Sequence, residues 1–170
     1  MRRVETVQVW YVSYGSNMSR TRLECYLRGG CPVGGVRTYV GARDSRAPAA
    51  RIPVRLPGTV YFAGRSLVWG GGRAFYDPEV AGDTAACAYL VTGEQFDDIL
   101  GQEPPCYDRV LDLGVRDGVP LRTFTSGLGR DDVVPAPPSD AYLATMATGL
   151  REAFGWNAER AQAYLRRLRP

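Results

Sequence analysis

Short apolar runs rich in β-branched and aromatic residues recur along the chain and predict seven strands. These runs cover residues 7–14, 59–63, 66–69, 73–76, 85–91, 107–115 and 119–125. Asp117-Gly118 separates the last two runs, and this pair is a strong signal for a tight hairpin. Residues 34–58 carry three prolines and few large apolar side chains, which predicts a long irregular connection that serves as a lid, a binding element or a flexible loop.

Helical periodicity and capping residues predict four helices between and after these strands. Asn17 or Ser19 caps the first, and Thr92-Gly93-Glu94-Gln95 fits the capping box of the second. Ser139 or Asp140 caps the third, which follows a stiff proline connector. The predicted helices cover about residues 17–27, 93–101, 140–154 and 157–168.

The order of elements is one strand, a helix, four strands, a helix, two strands and two helices. This order predicts the α+β class, with a mixed, mainly antiparallel sheet that curls into a small β-barrel. The 170 residues are the size of one domain, so we expect a single domain over residues 1–170.

Composition restricts the chemistry that the chain can perform. It contains no histidine, and all 21 basic residues are arginine. Ser-His-Asp triads, Cys-His pairs, Schiff-base lysines and the P-loop lysine are therefore excluded. Any catalysis must use carboxylates, hydroxyls, thiols, arginines or the backbone.

Charge and hydropathy give further expectations about partners and location. The formal charge of +3 is spread along the chain, so we predict no nucleic-acid partner. No run of about 18 apolar residues is present, so we predict no membrane span. Glu5 and Gln8 interrupt the first apolar stretch, so we predict no signal peptide and expect a cytoplasmic protein. The four cysteines form no C-x-x-C pair, which predicts free thiols and no metal site.

The segment Tyr14-Gly15-Ser16-Asn17, between a strand and a helix, is the first candidate binding site. Backbone N–H groups at the start of a helix lack internal partners and lie at the positive end of its dipole, so they suit a carboxylate or phosphate. Gly15 lets a ligand approach the backbone closely. The alternative is a plain turn capped by Asn17.

Glu103 is the second candidate, because it follows a helix end and precedes a strand. Burial in a barrel mouth would raise its pKa toward the range useful for a general base. The alternative is a solvated loop carboxylate. Asp97 and Asp98 are nearby rivals that we predict to face solvent.

Three further features have both a functional and a structural interpretation. Tyr142 can offer its hydroxyl to a polar ligand or pack its ring in the core. Gly70-Gly71-Gly72 can form a nest for an anion, although a flexible turn is the simpler interpretation. Cys106 lies close to Glu103, but without a histidine to activate it we predict a structural thiol.

Three segments, in order and spacing, resemble the γ-glutamylcyclotransferase family over nearly the whole chain. Tyr11-Val12-Ser13-Tyr14-Gly15-Ser16-Asn17-Met18 is similar to the family's strand ending in Tyr-Gly-Ser-Asn-Leu. Gln102-Glu103 stands where the family has a Gln-Glu-Gly segment with its catalytic glutamate. Ala136-Pro137-Pro138-Ser139 precedes Tyr142, which looks like the family's substrate-contacting tyrosine.

The resemblance implies a partly open β-barrel surrounded by helices, with Glu103 as general base and residues 11–17 and Tyr142 binding the substrate. It implies that a small-molecule γ-glutamyl or related aminoacyl amide is converted to 5-oxoproline and a free amine, without a metal or organic cofactor. Residue chemistry is compatible with this, because the substrate's own α-amine is the nucleophile and one buried glutamate suffices to take its proton. Backbone N–H groups or the hydroxyl of Ser16 or Tyr142 can stabilise the oxyanion.

Two departures from the family pattern keep alternatives open. Pro104 replaces a common glycine and restricts Glu103 to extended backbone angles, and Ser13 replaces a common alanine. The identity of the leaving amine is not specified. One alternative is a tailoring hydrolase or acyltransferase of the same fold that removes a γ-glutamyl group from a metabolite. Another is a non-catalytic ligand-binding domain, which Pro104 favours.

Overall fold

The computed structural model of the chain describes residues 6–170. Their strands are β1 (Gln8–Ser13), β2 (Ala50–Pro57), β3 (Thr59–Ala63), β4 (Arg73–Asp77), β5 (Asp83–Thr92), β6 (Arg109–Arg116) and β7 (Val119–Thr125). Their helices are α1 (Arg20–Arg28), α2 (Gly93–Gly101), α3 (Asp140–Phe154) and α4 (Ala158–Leu168). Two 3₁₀ turns lie at Ser16–Met18 and Arg130–Asp132.

Five strands form a mixed sheet in the order β2-β5-β1-β7-β6. Its neighbours are antiparallel except β1 and β7, which are parallel. Strands β3 and β4 form a separate antiparallel hairpin. The Thr125 hydroxyl connects the two sheets, since it accepts from the N–H of Tyr76 and donates to the carbonyl of Tyr76, both at 2.9 Å. The predicted α+β class with helices around a mixed sheet is confirmed, and within residues 6–170 strand pairing does not close the sheets into a complete barrel.

The centre of the sheet is buried on both faces, which explains the continuous apolar runs of β1 and β5. Ala85, Ala86 and Ala88 on β5 are fully buried, and their small side chains leave room for neighbouring helices. Helix α4 approaches there, where the Tyr164 hydroxyl accepts from the N–H of Ala85 at 3.1 Å.

The predicted irregular connection over residues 34–58 is wrong at its C-terminal end, which contains β2. This strand pairs with β5 along its whole length and forms one edge of the sheet. Proline cannot donate a ladder hydrogen bond, and an edge strand tolerates this because one of its sides is unpaired. Pro53 and Pro57 therefore make the sequence look irregular, but they do not prevent the strand from forming.

The predicted strand over residues 66–69 is also wrong, because these residues form a turn. The hydroxyl of Ser66 accepts from the N–H groups of Val68 at 3.3 Å and Trp69 at 3.0 Å. A side chain that bonds the backbone locally in this way competes with strand pairing. Val68 and Trp69 are buried, so their apolar character reflects core packing rather than a strand.

Helix boundaries follow the predicted caps closely. Thr92 and Gln95 form the reciprocal capping box of α2, and Ser139 accepts from the N–H of Tyr142 at the start of α3. Ser19 is the N-cap of α1, but its side chain accepts no hydrogen bond from a backbone N–H of the helix. Asn17 does not cap this helix, because it lies inside the preceding 3₁₀ turn.

Helix α3 packs directly onto that 3₁₀ turn, and Gly149 makes this possible. A Cβ atom at position 149 would lie 2.5 Å from both the carbonyl carbon and the Cβ of Met18, and 2.6 Å from the nitrogen of Ser19. The nearest atoms are therefore backbone atoms and a Cβ atom, which cannot move aside as the end of a flexible side chain would.

We expect Gly149→Ala to destabilise the protein by about 1–3 kcal/mol, because the added methyl group overpacks the crossing. The free energy of unfolding in urea measures this effect. Gly101→Ala is the matched control, since position 101 is also helical and has no atom within 4 Å of its added Cβ. The control should be neutral or slightly stabilising, as alanine normally is in a helix. An unchanged stability of Gly149→Ala would contradict the close crossing.

Candidate functional site

The turn that follows β1 is held in place from several sides. The carbonyl of Met18 accepts from Arg51 Nη2 at 2.6 Å and from the Tyr89 hydroxyl at 2.8 Å. Asn17 Nδ2 donates to the Tyr11 hydroxyl at 3.0 Å. Because Tyr11 and Tyr89 lie on central strands, the sheet itself fixes the position of the turn.

Backbone N–H groups are available at this turn, but not for the reason predicted. Helix α1 begins only at Arg20, after a single 3₁₀ turn over Ser16–Met18, so the positive end of a long helix does not lie at Gly15. The N–H groups of residues 15–17 nevertheless have no acceptor within residues 6–170. Unpaired amides, rather than a helix dipole, are what this turn offers to an anion.

Gly15 has a specific steric role. A Cβ atom at this position would lie 3.2 Å from the Tyr142 hydroxyl. Glycine therefore lets Tyr142, which lies in the first turn of α3, reach the backbone after β1. The Tyr142 ring stacks on Trp69 with an interplanar angle of 3°, which orients its hydroxyl.

Glu103 is positioned by the residue before it. Gln102 Nε2 donates to the carbonyls of Tyr26 at 2.9 Å and Asp98 at 3.0 Å, while its Oε1 accepts from the N–H of Gly41 at 3.1 Å. These bonds join the end of α2 to the end of α1. As a result, the carboxylate of Glu103 meets α1, where the Tyr26 hydroxyl donates to its Oε1 at 2.5 Å.

The Glu103 side chain and the turn after β1 line one narrow cavity of about 30 Å³. All the site residues predicted from sequence contribute to its wall: Tyr11, Val12, Ser13, Tyr14, Gly15, Ser16, Asn17, Glu103 and Tyr142. The remaining lining residues are Ala74, Tyr107, Thr123 and Phe124. The structure thus brings together segments that are about ninety and forty residues apart in the chain.

Hydrogen-bond partners divide the four tyrosines of the cavity into two pairs. Tyr14 and Tyr107 donate to the backbone carbonyls of Phe124 at 2.7 Å and Ala74 at 2.8 Å, so their protons are already engaged. The Tyr11 hydroxyl accepts from Asn17 and the Tyr142 hydroxyl from the N–H of Ala74, and within residues 6–170 neither hydroxyl donates to a backbone carbonyl, although the hydroxyls of Ser13 and Ser16 lie beside them. Tyr11 and Tyr142 can therefore donate to a ligand.

Burial dominates the electrostatics of the site. It raises the pKa of Glu103, although the Tyr26 hydrogen bond and the positive charges of Arg22, Arg37 and Arg73 act in the opposite direction. Burial also raises the pKa of Tyr142 to about 12, so this hydroxyl keeps its proton at neutral pH. The cavity therefore combines a carboxylate of increased basicity with neutral hydroxyl donors.

The structure separates the other candidates from the cavity. Asp97 is exposed, as predicted, whereas Asp98 is only partly exposed and pairs with Arg43 at 3.0 Å outside the cavity. Gly70-Gly71-Gly72 forms a turn in which the N–H of Gly72 already donates to Pro137. Cys106 accepts from Arg73 Nη1 at 3.3 Å. Residues 34–58 do not line the cavity, so the lid or binding element predicted for this connection is not found there.

Sequence reasoning missed several residues around the carboxylate, above all Tyr26 and Tyr107. Tyr26 lies among apolar residues of α1, and Tyr107 precedes β6, so in the sequence each has the pattern of a core aromatic. Their contact with the site depends on which helix and loop ends meet in space. Within residues 6–170, no group of three or more His, Cys, Asp or Glu side chains is arranged to hold a metal ion, and none of the helices has the length and apolar character to cross a membrane.

The chain has the γ-glutamyl cyclotransferase-like fold. A solved structure described as γ-glutamyl cyclotransferase superposes with a TM-score of 0.66 and 17% identity, covering 96% of this chain and 89% of that one. An uncharacterised human protein gives the same values. YkqA from Bacillus subtilis superposes with a TM-score of 0.62 and 18% identity, covering 95% of this chain and 54% of that one.

Sequence comparison gives a different kind of match. Histone deacetylase 5 of Arabidopsis thaliana is 32% identical over 200 residues, which cover 94% of this chain and 30% of that protein. The chain thus spans less than a third of this relative's length. No family model matches the chain.

The raised pKa of Glu103 predicts an effect on stability. Between its ordinary value and the raised value, the folded protein binds more protons than the unfolded chain, so stability falls as pH rises through this range. Glutamine keeps an acceptor for Tyr26 but carries no charge. We therefore expect Glu103→Gln to be more stable than wild type at neutral pH, and the difference to disappear as pH falls below the ordinary value.

Urea unfolding of both proteins across a pH series measures this difference. Asp97→Asn, at an exposed position of α2, is the matched control and should change the free energy of unfolding little at any pH. A wild type that is as stable as Glu103→Gln at neutral pH would show that burial does not disfavour the carboxylate.

Proposed function

We propose that the protein is a γ-glutamylcyclotransferase-type enzyme that cleaves a γ-glutamyl or related aminoacyl amide by attack of the substrate's own α-amine. The observation that carries this proposal is that one cavity is lined both by Glu103 and by residues 15–17 of the turn after β1, whose N–H groups are unpaired within residues 6–170. Likeness in fold to a γ-glutamyl cyclotransferase supports it.

In this mechanism the turn after β1 binds the α-carboxylate of the substrate through its free N–H groups. Glu103 takes a proton from the α-amine as the amine nitrogen attacks the γ-carbonyl carbon, which closes a five-membered ring. Holding both groups in one molecule makes this step unimolecular, so positioning supplies much of the rate. Collapse of the tetrahedral intermediate then breaks the amide bond, and Glu103 returns the proton to the departing amine.

The oxyanion formed at the γ-carbonyl needs a hydrogen-bond donor. Tyr142 provides a neutral hydroxyl that, within the described residues, donates to no backbone carbonyl, and its ring is fixed by stacking on Trp69. A fixed donor of this kind is worth about 3–4 kcal/mol in a site that excludes water. Tyr142 is therefore the proposed oxyanion donor.

We expect Glu103→Gln to lower the rate of 5-oxoproline release by about 10²–10⁴-fold, because the general base is lost. A panel of γ-glutamyl amides, with 5-oxoproline and free amine measured by mass spectrometry, tests this. Asp98→Asn is the matched control: it removes a nearby carboxylate that pairs with Arg43 outside the cavity, and it should stay active.

Product analysis separates the alternatives in the same assay. In water enriched in ¹⁸O, cyclisation gives unlabelled 5-oxoproline, whereas hydrolysis gives labelled glutamate. Labelled glutamate as the first product would replace cyclisation with hydrolysis. Equal activity of wild type and Glu103→Gln would refute Glu103 as the base, and absence of turnover of the whole panel would count against an enzyme of this type.

We expect Tyr142→Phe to lower kcat by about 10²-fold, with a smaller change in KM, because its hydroxyl acts mainly on the transition state. Tyr164→Phe is the matched control, since Tyr164 is a buried tyrosine outside the cavity whose hydroxyl, like that of Tyr142, accepts from a backbone N–H. The control should keep kcat within a few-fold of wild type. Equal losses in the two variants would remove the proposed role of Tyr142.

A further inference from the structure

Arg22 on α1 is a buried cation without a carboxylate at ion-pair distance within residues 6–170. Only 3% of its surface is exposed. Its guanidinium carbon lies 4.4 Å from the ring centroids of both Tyr26 and Tyr39, and its Nη2 donates to their hydroxyls at 3.0 and 2.8 Å. Of the two tyrosines that accept from Arg22, only Tyr26 also bonds a carboxylate, that of Glu103.

The chemistry of arginine fixes the direction of this hydrogen-bond chain. Arginine only donates, so the Tyr26 oxygen accepts from Arg22 and the single Tyr26 proton is free to go to Oε1 of Glu103. In the reverse arrangement a protonated Glu103 would donate to Tyr26, and the Tyr26 proton would then lack an acceptor in a buried site. That arrangement is costly, because unsatisfied buried polar groups lose the full energy of solvation.

We propose that Tyr26, held by Arg22, is a positioning residue that occupies Oε1 of Glu103 and leaves Oε2 as the oxygen that takes the substrate's proton. This inference rests on the proposed function for the identity of that proton. The hydrogen bond restricts rotation of the carboxylate and favours its charged form. In this way α1 orients the base and partly offsets the effect of burial on its charge state.

Tyr39 provides an internal comparison for Tyr26. Both are buried tyrosines that accept from Arg22 Nη2 and stack against its guanidinium, and their ring centroids lie 4.6 Å apart. Only Tyr26 reaches Glu103. Removal of either hydroxyl therefore disturbs Arg22 similarly, whereas only removal of the Tyr26 hydroxyl exposes Oε1.

The other charged and titratable groups around Glu103 do not distinguish the two variants. Arg22, Arg37 and Arg73 favour its charged form. The hydroxyls near it that titrate at higher pH, and so remain neutral when the carboxylate ionises, are those of Tyr11, Tyr14, Tyr26, Tyr107 and Tyr142. Tyr26→Phe and Tyr39→Phe leave the three arginines in place.

The test is a carbon-13 NMR titration of the Glu103 carboxyl in the free protein, with its signal assigned by its loss in Glu103→Gln. We expect Tyr26→Phe to move the titration midpoint to higher pH, because the charged form loses a hydrogen bond. Tyr39→Phe should leave the midpoint close to that of wild type. On the acidic limb of the pH profile, kcat/KM for 5-oxoproline release should fall about tenfold or more in Tyr26→Phe alone, as expected for a lost bond to a charged group.

A second substitution probes the same bond without deleting it. Difluorotyrosine at position 26 is a stronger donor, so it should move the Glu103 midpoint to lower pH, opposite to Tyr26→Phe. An unchanged midpoint in Tyr26→Phe, or an equal shift in Tyr39→Phe, would overturn the proposal. Midpoints that shift as expected in a protein that releases no 5-oxoproline would instead overturn the proposed function and support the direction of the hydrogen-bond chain.

Discussion

The arrangement of this site depends on the carboxylate of Glu103, which is buried among mainly aromatic side chains. Taking an ion out of water costs several kcal/mol unless hydrogen bonds and opposite charge offset the loss. Here Tyr26 supplies the hydrogen bond and Arg22 the charge, and both lie on α1. Helix α1 must therefore stay against the end of α2, and the bonds of Gln102 to the α1 carbonyl and the Gly41 amide maintain this contact.

The opposite wall of the cavity, formed by the turn after β1, is held by the central sheet and not by contacts between helix ends. The turn after β1 follows a central strand, and its Met18 carbonyl is fixed by Arg51 and Tyr89. Helix α3 closes over this turn because Gly149 allows backbone to touch backbone. The base thus depends on a few polar contacts between helix ends, while the anion-binding turn depends on packing at the centre of the sheet.

The contrast between local and distant interactions explains what could be predicted from sequence. Strands β3 and β7 agree with the prediction to the residue, and α2 agrees because its capping box is local. Strand β2 was missed because its prolines are acceptable only at a sheet edge, which is a property of the whole sheet. The turn after β1 and Glu103 were singled out by their places between predicted elements, and the resemblance of their segments to a family then assigned them to one site. No local pattern marks Arg22 or Tyr26, since their role arises only where the ends of α1 and α2 meet.

The size of the cavity limits how the proposed substrate can fit between these two walls. The cavity opens to solvent, and its interior of about 30 Å³ has room for one or two water molecules, which is less than a γ-glutamyl group needs. The proposed substrate therefore extends into the mouth of the cavity unless side chains of the wall move. The turn after β1 is tied to the central strands. The segment of Tyr107 is partly exposed, and it is held by bonds of Tyr107 to Ala74 and Pro104 and by packing of its ring on Phe75 and Phe124. The wall that carries Glu103 is therefore the more exposed of the two, and we expect it to adjust when a substrate enters.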